Sequence, residues 1–168
     1  WAINGQRRYR VWNRHNKSYI RNCEAFAASG TYYKVMGLVS LTADVKCSGA
    51  SGNSVTNTNG AAGATSSFGS WASATGGAAI AFGVPGAEGT GSSGDINITS
   101  GGSRGGNAGT DGGTGLNGPN GGRAVRSLMA ASLAASETVT CGAGGASPGG
   151  NARAGMVGTV EVSELVEA

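Results

Sequence analysis

Residues 106–121 read GNAGTDGGTGLNGPNG, with Gly106, Gly109, Gly112, Gly115, Gly118 and Gly121 at a constant spacing of three. A glycine at every third position suits an extended helix of polyproline-II geometry, because each glycine lets a neighbouring chain come close. Collagen shares the period but is rich in proline, and this run holds Pro119 alone. The reading is therefore polyglycine-II-like packing, in which backbone N–H and C=O groups of adjacent passes bond each other. Such a run would extend about 50 Å at roughly 3.1 Å per residue. The competing reading is a flexible glycine-rich linker. Either makes a scaffold rather than a catalytic pocket.

The rest of the chain has a similar texture. Of 168 residues 33 are Gly, 12% are charged and 6% are aromatic. Small side chains bury little apolar surface, and glycine carries the largest ordering entropy, which argues against an ordinary enzyme core. The length suits one domain with an appended arm. The sequence contains no apolar run long enough for a membrane-spanning helix and no basic-then-apolar leader with a cleavage site.

Working outward from the repeat, strand patterns bracket the glycine-rich zone. Residues 35–47, VMGLVSLTADVKC, are bounded by Gly and enriched in β-branched residues, which predicts a strand. SSFGSWASAT and GDINITS are strand-like islands, the second with Ile96 and Ile98 on one face and Asn97 on the other. MVGTVEVSELV alternates as a terminal strand. RAVRSLMAASLAAS carries Val125, Leu128, Met129 and Leu133 at helical spacing, so residues 123–136 read as a helix or as an irregular loop bearing apolar groups. Phe68, Trp71, Ile96, Ile98, Val157 and Val160 are the expected anchors of the core. The fold class is all-β: a small sheet or sandwich module with long Gly-rich loops. Its domains are a basic aromatic arm at 1–23 and a glycine-rich β domain at 24–168.

Charge is unevenly spread. Residues 1–21 hold Arg7, Arg8, Arg10, Arg14, Lys17 and Arg21 and no acid, for +6, while residues 22–168 carry −3. Arg7, Arg8, Tyr9, Arg10, Trp12 and Arg14 are the candidate docking residues, suited to cation–π and ion-pair contacts with a larger assembly. Phosphate contact and base stacking by the same residues is the less favoured reading, and a merely soluble basic terminus the plainest. The three cysteines, Cys23, Cys47 and Cys141, fit no zinc or redox spacing. They are expected to be free, small and buried, in a protein made in a reducing compartment.

Motifs for chemistry fail on inspection. GTGSSG (89–94) matches a dinucleotide fingerprint in letters, but a strand-and-turn pattern follows where a helix is needed. GGNAGTDGG (105–113) departs from the calcium nonapeptide, with Ala108 and Thr110 at the required Gly and Asp positions. The single histidine, His15, has no triad context. Asn16-Lys17-Ser18 and Asn97-Ile98-Thr99 are incidental acceptor patterns. No catalytic, cofactor-binding or metal residue is expected, and no cofactor.

Five stretches occur in an order that resembles the glycine-rich domain of tailed-bacteriophage virion proteins. They are FAASGTYYK (26–34), VSLTADVKCSGASG (39–52), ATSSFGSWASATGG (64–77), GTGSSGDINITSGG (89–102) and GNARAGMVGTVEV (150–162). The resemblance implies a non-enzymatic structural component of a virion, in a tail fibre, spike or decoration, contributing to host-surface recognition. It implies assembly in the bacterial host cytoplasm, other virion proteins as partners, and a host-surface glycan or protein as target. A homotrimer is expected from likeness to fibre proteins, and shared burial would help offset the entropy of many ordered glycines. Two alternatives stand beside it. An ice-binding polyglycine scaffold would need a flat, regular Thr or Ala ladder, and Thr110 and Thr114 are the only threonines within residues 101–122. A nucleic-acid-binding glycine-rich protein would rest on the arm.

Overall fold

The computed structural model describes residues 9–12, 18–52, 59–81, 84–107, 116–148 and 152–167. Its strands, in chain order, are β1 (Tyr9–Trp12), β2 (Ser18–Phe26), β3 (Gly30–Tyr33), β4 (Leu38–Lys46), β5 (Ser66–Phe68) and β6 (Ala72–Ala74). They continue with β7 (Gly91–Ser92), β8 (Ile96–Ile98), β9 (Arg123–Met129), β10 (Ser136–Thr140) and β11 (Thr159–Glu167). They form two antiparallel sheets, one in the order β1-β2-β11-β4-β9-β8 and one in the order β3-β10-β5-β6-β7. The chain is all-β, as its patterning predicts. The boundary read at residues 23 and 24 falls inside β2, which pairs with β11 from Tyr19 to Phe26.

Alternation decides which face of each strand is covered. In β4, Leu41, Ala43 and Val45 are buried between Thr42, Asp44 and Lys46, which are not. In β11, Val160, Val162, Glu164 and Val166 point inward and Glu161 and Ser163 outward. The smaller sheet supplies Tyr32, Phe68, Ala72, Ala74 and Val139 to the same core cluster. Tyr32 and Phe68 meet with ring centroids 5.5 Å apart at 57°. Fully burying a side chain like Phe68 stabilises by about 1.5–3 kcal/mol.

Three expectations are corrected. Residues 123–136 are neither helix nor irregular loop: Arg123–Met129 is β9, followed by a short 3-10 turn at Ala130–Ser132. An open edge of β4 recruits the segment, with Leu128 opposite Leu41 and Ala124 opposite Val45. Ala124 and Leu128 then turn inward together, whereas Met129, which helical spacing placed beside Leu128, is 60% exposed. Ile96 and Ile98 are not core anchors, because β8 is an edge strand that aligns them with Val125 and Arg123 on the outer face. Val157 is likewise exposed, and Trp71 is only partly buried, with its indole N–H donating to Glu137 Oε1 at 3.1 Å. Phe68 and Val160 are buried as expected, joined by Tyr32, Leu41, Val45, Ile80, Val139 and Val162.

Beyond one end of the sandwich the glycine-rich segments form a bundle of extended passes: 47–52, 59–65, 75–81, 84–90, 99–107, 116–122, 141–148 and 152–158. Residues 47–52 lie at its centre and are all buried. The amides of Cys47 and Ala50 donate to Gly122 and Pro119, and those of Gly49 and Gly52 to Met156 and Arg153. The Ser51 amide donates to Ala61 at 2.9 Å, and the Ser48 hydroxyl to the carbonyl of Ala64 at 2.7 Å. In return the carbonyls of Cys47 and Ala50 accept from Ser103 and Gly106, that of Ser48 from Gly77, and that of Gly49 from Gly145. Every third residue thus faces the same neighbour, and the one segment is bonded to six others. This is the three-fold symmetry of a polyproline-II-type helix, packed laterally as in polyglycine II.

The described members of the period-three repeat lie on two passes that bond each other, Gly106 on one and Gly118 and Gly121 on the other, so they do not form the single extended run of about 50 Å expected from the sequence. Gly118 and Gly121 donate to the carbonyls of Gly106 and Ser103 at 2.8 and 3.0 Å. A Cβ on Gly118 would strike the carbonyl of Ala50, and one on Gly121 that of Cys47. Gly109, Gly112 and Gly115 lie outside the described residues. Glycines out of phase with the repeat are equally confined: a Cβ on Gly105 would meet the carbonyl of Gly118, and one on Gly122 the backbone of Thr90. A segment bonded on several sides has several faces against backbone, so the constraint is wider than a strict period of three.

Candidate functional site

The topology gives the molecule two unlike ends. β4, β9, β10 and β11 all run between the sandwich and the bundle, at residues 46–47, 122–123, 140–141 and 158–159. Near the sheets, Cys47 bonds to Gly122 and Gly158 to Gly142. Far from them, Gly52 bonds to Arg153 and Gly60 to Ile80. The residues flanking 53–58, 82–83, 108–115 and 149–151 therefore stand at the end away from the sheets.

The opposite end carries exposed apolar groups. Met36 is 97% exposed, Tyr33 71% and Met129 60%. Tyr33 closes β3, Met129 closes β9, and Met36 precedes Gly37, whose carbonyl accepts from the Glu167 amide at 2.8 Å. β1 and β2 also meet at this end, since Trp12 pairs with Ser18 and Tyr19 with Glu167. Of the candidate docking residues, Tyr9, Arg10 and Trp12 belong to β1, an edge strand of the larger sheet. Arg7, Arg8 and Arg14 lie outside the described residues, as does His15.

Buried ionisable groups serve the fold. Glu164 is 6% exposed and holds two bonds, accepting from the Tyr32 hydroxyl at 2.6 Å and from Asn22 Nδ2 at 3.1 Å. Burial, then the bond to Glu164, raises the Tyr32 phenol well above its ordinary range, so it stays a donor. Burial, then the charge of Glu164, raises the Glu24 carboxyl. Asp44 takes a two-pronged bond from Arg123, both contacts 2.7 Å, and Asp95 pairs with Arg126 at 2.9 Å. Lys46 lies 3.3 Å from Glu161. Cys23, Cys47 and Cys141 are free thiols; Cys47 is fully buried, and burial raises the pKa of Cys141. Among the described residues, no group of three or more His, Cys, Asp or Glu is placed to hold a metal ion. No described helix is long and apolar enough to cross a membrane.

The Tyr32–Glu164 pair was missed in the sequence because its partners are 132 positions apart. A Glu among the inward valines of β11 was the available signal, since buried carboxylates need partners. No protein-family model, curated protein or solved structure matches this chain.

Proposed function

We propose that the protein is a non-enzymatic structural component of a bacteriophage virion, in a fibre, spike or decoration, that presents a recognition surface to the host. The observation that carries this reading is the bundle around residues 47–52. A pass bonded to six neighbours makes a stiff post from little apolar surface. A rigid support of this kind holds binding residues in a fixed geometry. The ordered set of stretches resembling phage glycine-rich domains supports the viral context.

Attachment then falls to the other end. Its exposed methionines and tyrosine, and the meeting of β1 and β2 there, suit a docking face in which aromatic and arginine anchors are buried by a partner. In the assembled particle the protein is a trimer, the bundle pointing outward. The test is a truncation that spares the sheet. Removing residues 1–16 takes away β1 and leaves β2 whole, whereas a cut after Arg21 would strip β2 residues that pair with Leu165, Val166 and Glu167. The shortened chain should fold, by circular dichroism and melting, yet fail to appear on particles by immunogold electron microscopy. Normal incorporation would refute the docking role, and absence of the full chain from particles would refute the reading as a whole.

A further inference from the structure

The cations of the folded body sort into two groups. Six lie beyond residue 22: Lys34, Lys46, Arg104, Arg123, Arg126 and Arg153. Arg123, Arg126 and Lys46 are held by carboxylates, and Lys34 Nζ donates to the carbonyls of Ala130 and Leu133. Arg104 and Arg153 are exposed, and their guanidinium groups have no ion pair among the described residues. Both line one groove of about 510 Å³ on the flank of the bundle. Of these six cations, the two without a carboxylate or carbonyl partner thus share a single depression.

That groove is built rather than incidental. Arg104 and Arg153 sit on passes that bond each other, the Met156 amide to the Arg104 carbonyl and the Arg153 amide to that of Asn107, both at 3.0 Å. Arg104 is therefore level with Met156 and Arg153 with Asn107. The two arginines stand one three-residue turn apart, about 9 Å at roughly 3.1 Å per residue. The walls include Gly105, Gly106 and Gly118, whose amides are bonded within the bundle, so little ordering remains when a ligand arrives. Asn107 and Glu88 add polar groups; one Glu88 oxygen accepts from the Asn120 amide at 2.6 Å, leaving the other for a hydroxyl.

We propose that this groove binds an anionic saccharide, with Arg104 and Arg153 each taking a carboxylate or phosphate group and Asn107 and Glu88 meeting sugar hydroxyls. The size falls within the roughly 300–1,000 Å³ of small-molecule sites. Among the described residues no aromatic side chain lines it, so they offer no ring on which a nucleic-acid base would stack. Two arginines and Glu88 in the lining disfavour a wholly apolar ligand, and guanidinium groups match planar or tetrahedral oxyanions by paired bonds. For its biological meaning the inference rests on the recognition role proposed above. Its test uses the purified full chain, so either can fail without the other.

The test is calorimetric titration with three probes: trigalacturonate for carboxylate, a phosphorylated mannose oligosaccharide for phosphate, and maltotriose as the neutral control. At least one anionic probe should bind about tenfold or more tighter than maltotriose, as charge-assisted bonds require, and the tighter of the two identifies the oxyanion. Arg104→Gln and Arg153→Gln should each weaken that binding about tenfold, with unchanged melting because neither side chain supports the fold. Lys46→Gln, which removes the same charge elsewhere, should leave affinity unaltered. Absence of binding by both anionic probes would overturn the proposal. So would equal binding of maltotriose, indifference to both arginine substitutions, or an equal loss in Lys46→Gln.

Discussion

Replacing Gly63 by Ala tests whether the bundle holds the molecule together. The added Cβ would stand 2.6 Å from the carbonyl oxygen of Ser48 and 2.7 Å from that of Gly49, both on the central pass. Ordinary contact begins near 3.4 Å, so the passes 59–65 and 47–52 must part by about 0.8 Å. The Ser51 amide, 2.9 Å from the Ala61 carbonyl, would then lie at about 3.7 Å, beyond hydrogen-bonding reach. The Ser48 hydroxyl, 2.7 Å from the Ala64 carbonyl, would be stretched by the same movement. Ser48 and Ser51 are both 0% exposed, so water does not replace the lost partners. Two buried groups left unsatisfied cost about 1–3 kcal/mol each, or about 2–6 kcal/mol together. Set against a total stability of about 5–15 kcal/mol, that is a large loss. Gly30→Ala is the control, because its Cβ meets only the Phe26 ring at 3.7 Å. It should shift stability by less than about 1 kcal/mol, and in the stabilising direction through a stiffer unfolded chain. Urea unfolding of both variants gives the energies, and hydrogen exchange at the Ser51 amide reports the contact itself. A Gly63→Ala protein within about 1 kcal/mol of wild type, its Ser51 amide still protected, would refute the claim that close backbone packing stabilises the bundle.

Other outcomes follow from the sandwich. Tyr32→Phe removes one of two donors from buried Glu164 and should cost about 1.5–3 kcal/mol in urea unfolding, as for bonds to charged groups. Glu24 binds its proton more tightly in the folded state, so its contribution to stability is full below the ordinary carboxyl range near 4.5 and is lost as pH rises through the raised folded value. Melting temperatures across that acidic window should therefore fall more in wild type than in Glu24→Gln. Arg123→Ala should cost about 1 kcal/mol or less by the same unfolding assay, because its paired contact with Asp44 is partly exposed.

Much of this architecture is legible in one dimension, and the reason is local. Alternation in VSLTADV and TVEVSELV marks a covered face because a strand shows successive side chains to opposite sides. The period-three glycines mark lateral packing because each turn of an extended three-fold helix returns the same position to the same neighbour. What composition could not rank was which apolar residue lies under which sheet. Ile96 and Ile98 have the right chemistry and alternation, yet β8 is an edge strand that sets them on the outer face beside Val125 and Arg123.

Residues 123–129 show where sequence stops and tertiary structure begins. Their apolar spacing fits a helix, and only the open edge of β4, brought alongside by the fold, turns them into a strand with Ala124 and Leu128 inward. Strand identity depends on the partner more than on the segment. The glycine content and the period by themselves left two readings, lateral backbone packing and a flexible linker, and the bonds between passes decided for packing among the described residues. Which pass became the centre, which glycines lost their room for a Cβ, and which two arginines came to share a groove were decided by contacts between residues far apart in the chain. Those contacts carry no local signature, because a lateral hydrogen bond such as Ala50 to Pro119 depends on spatial neighbours and not on adjacent residues.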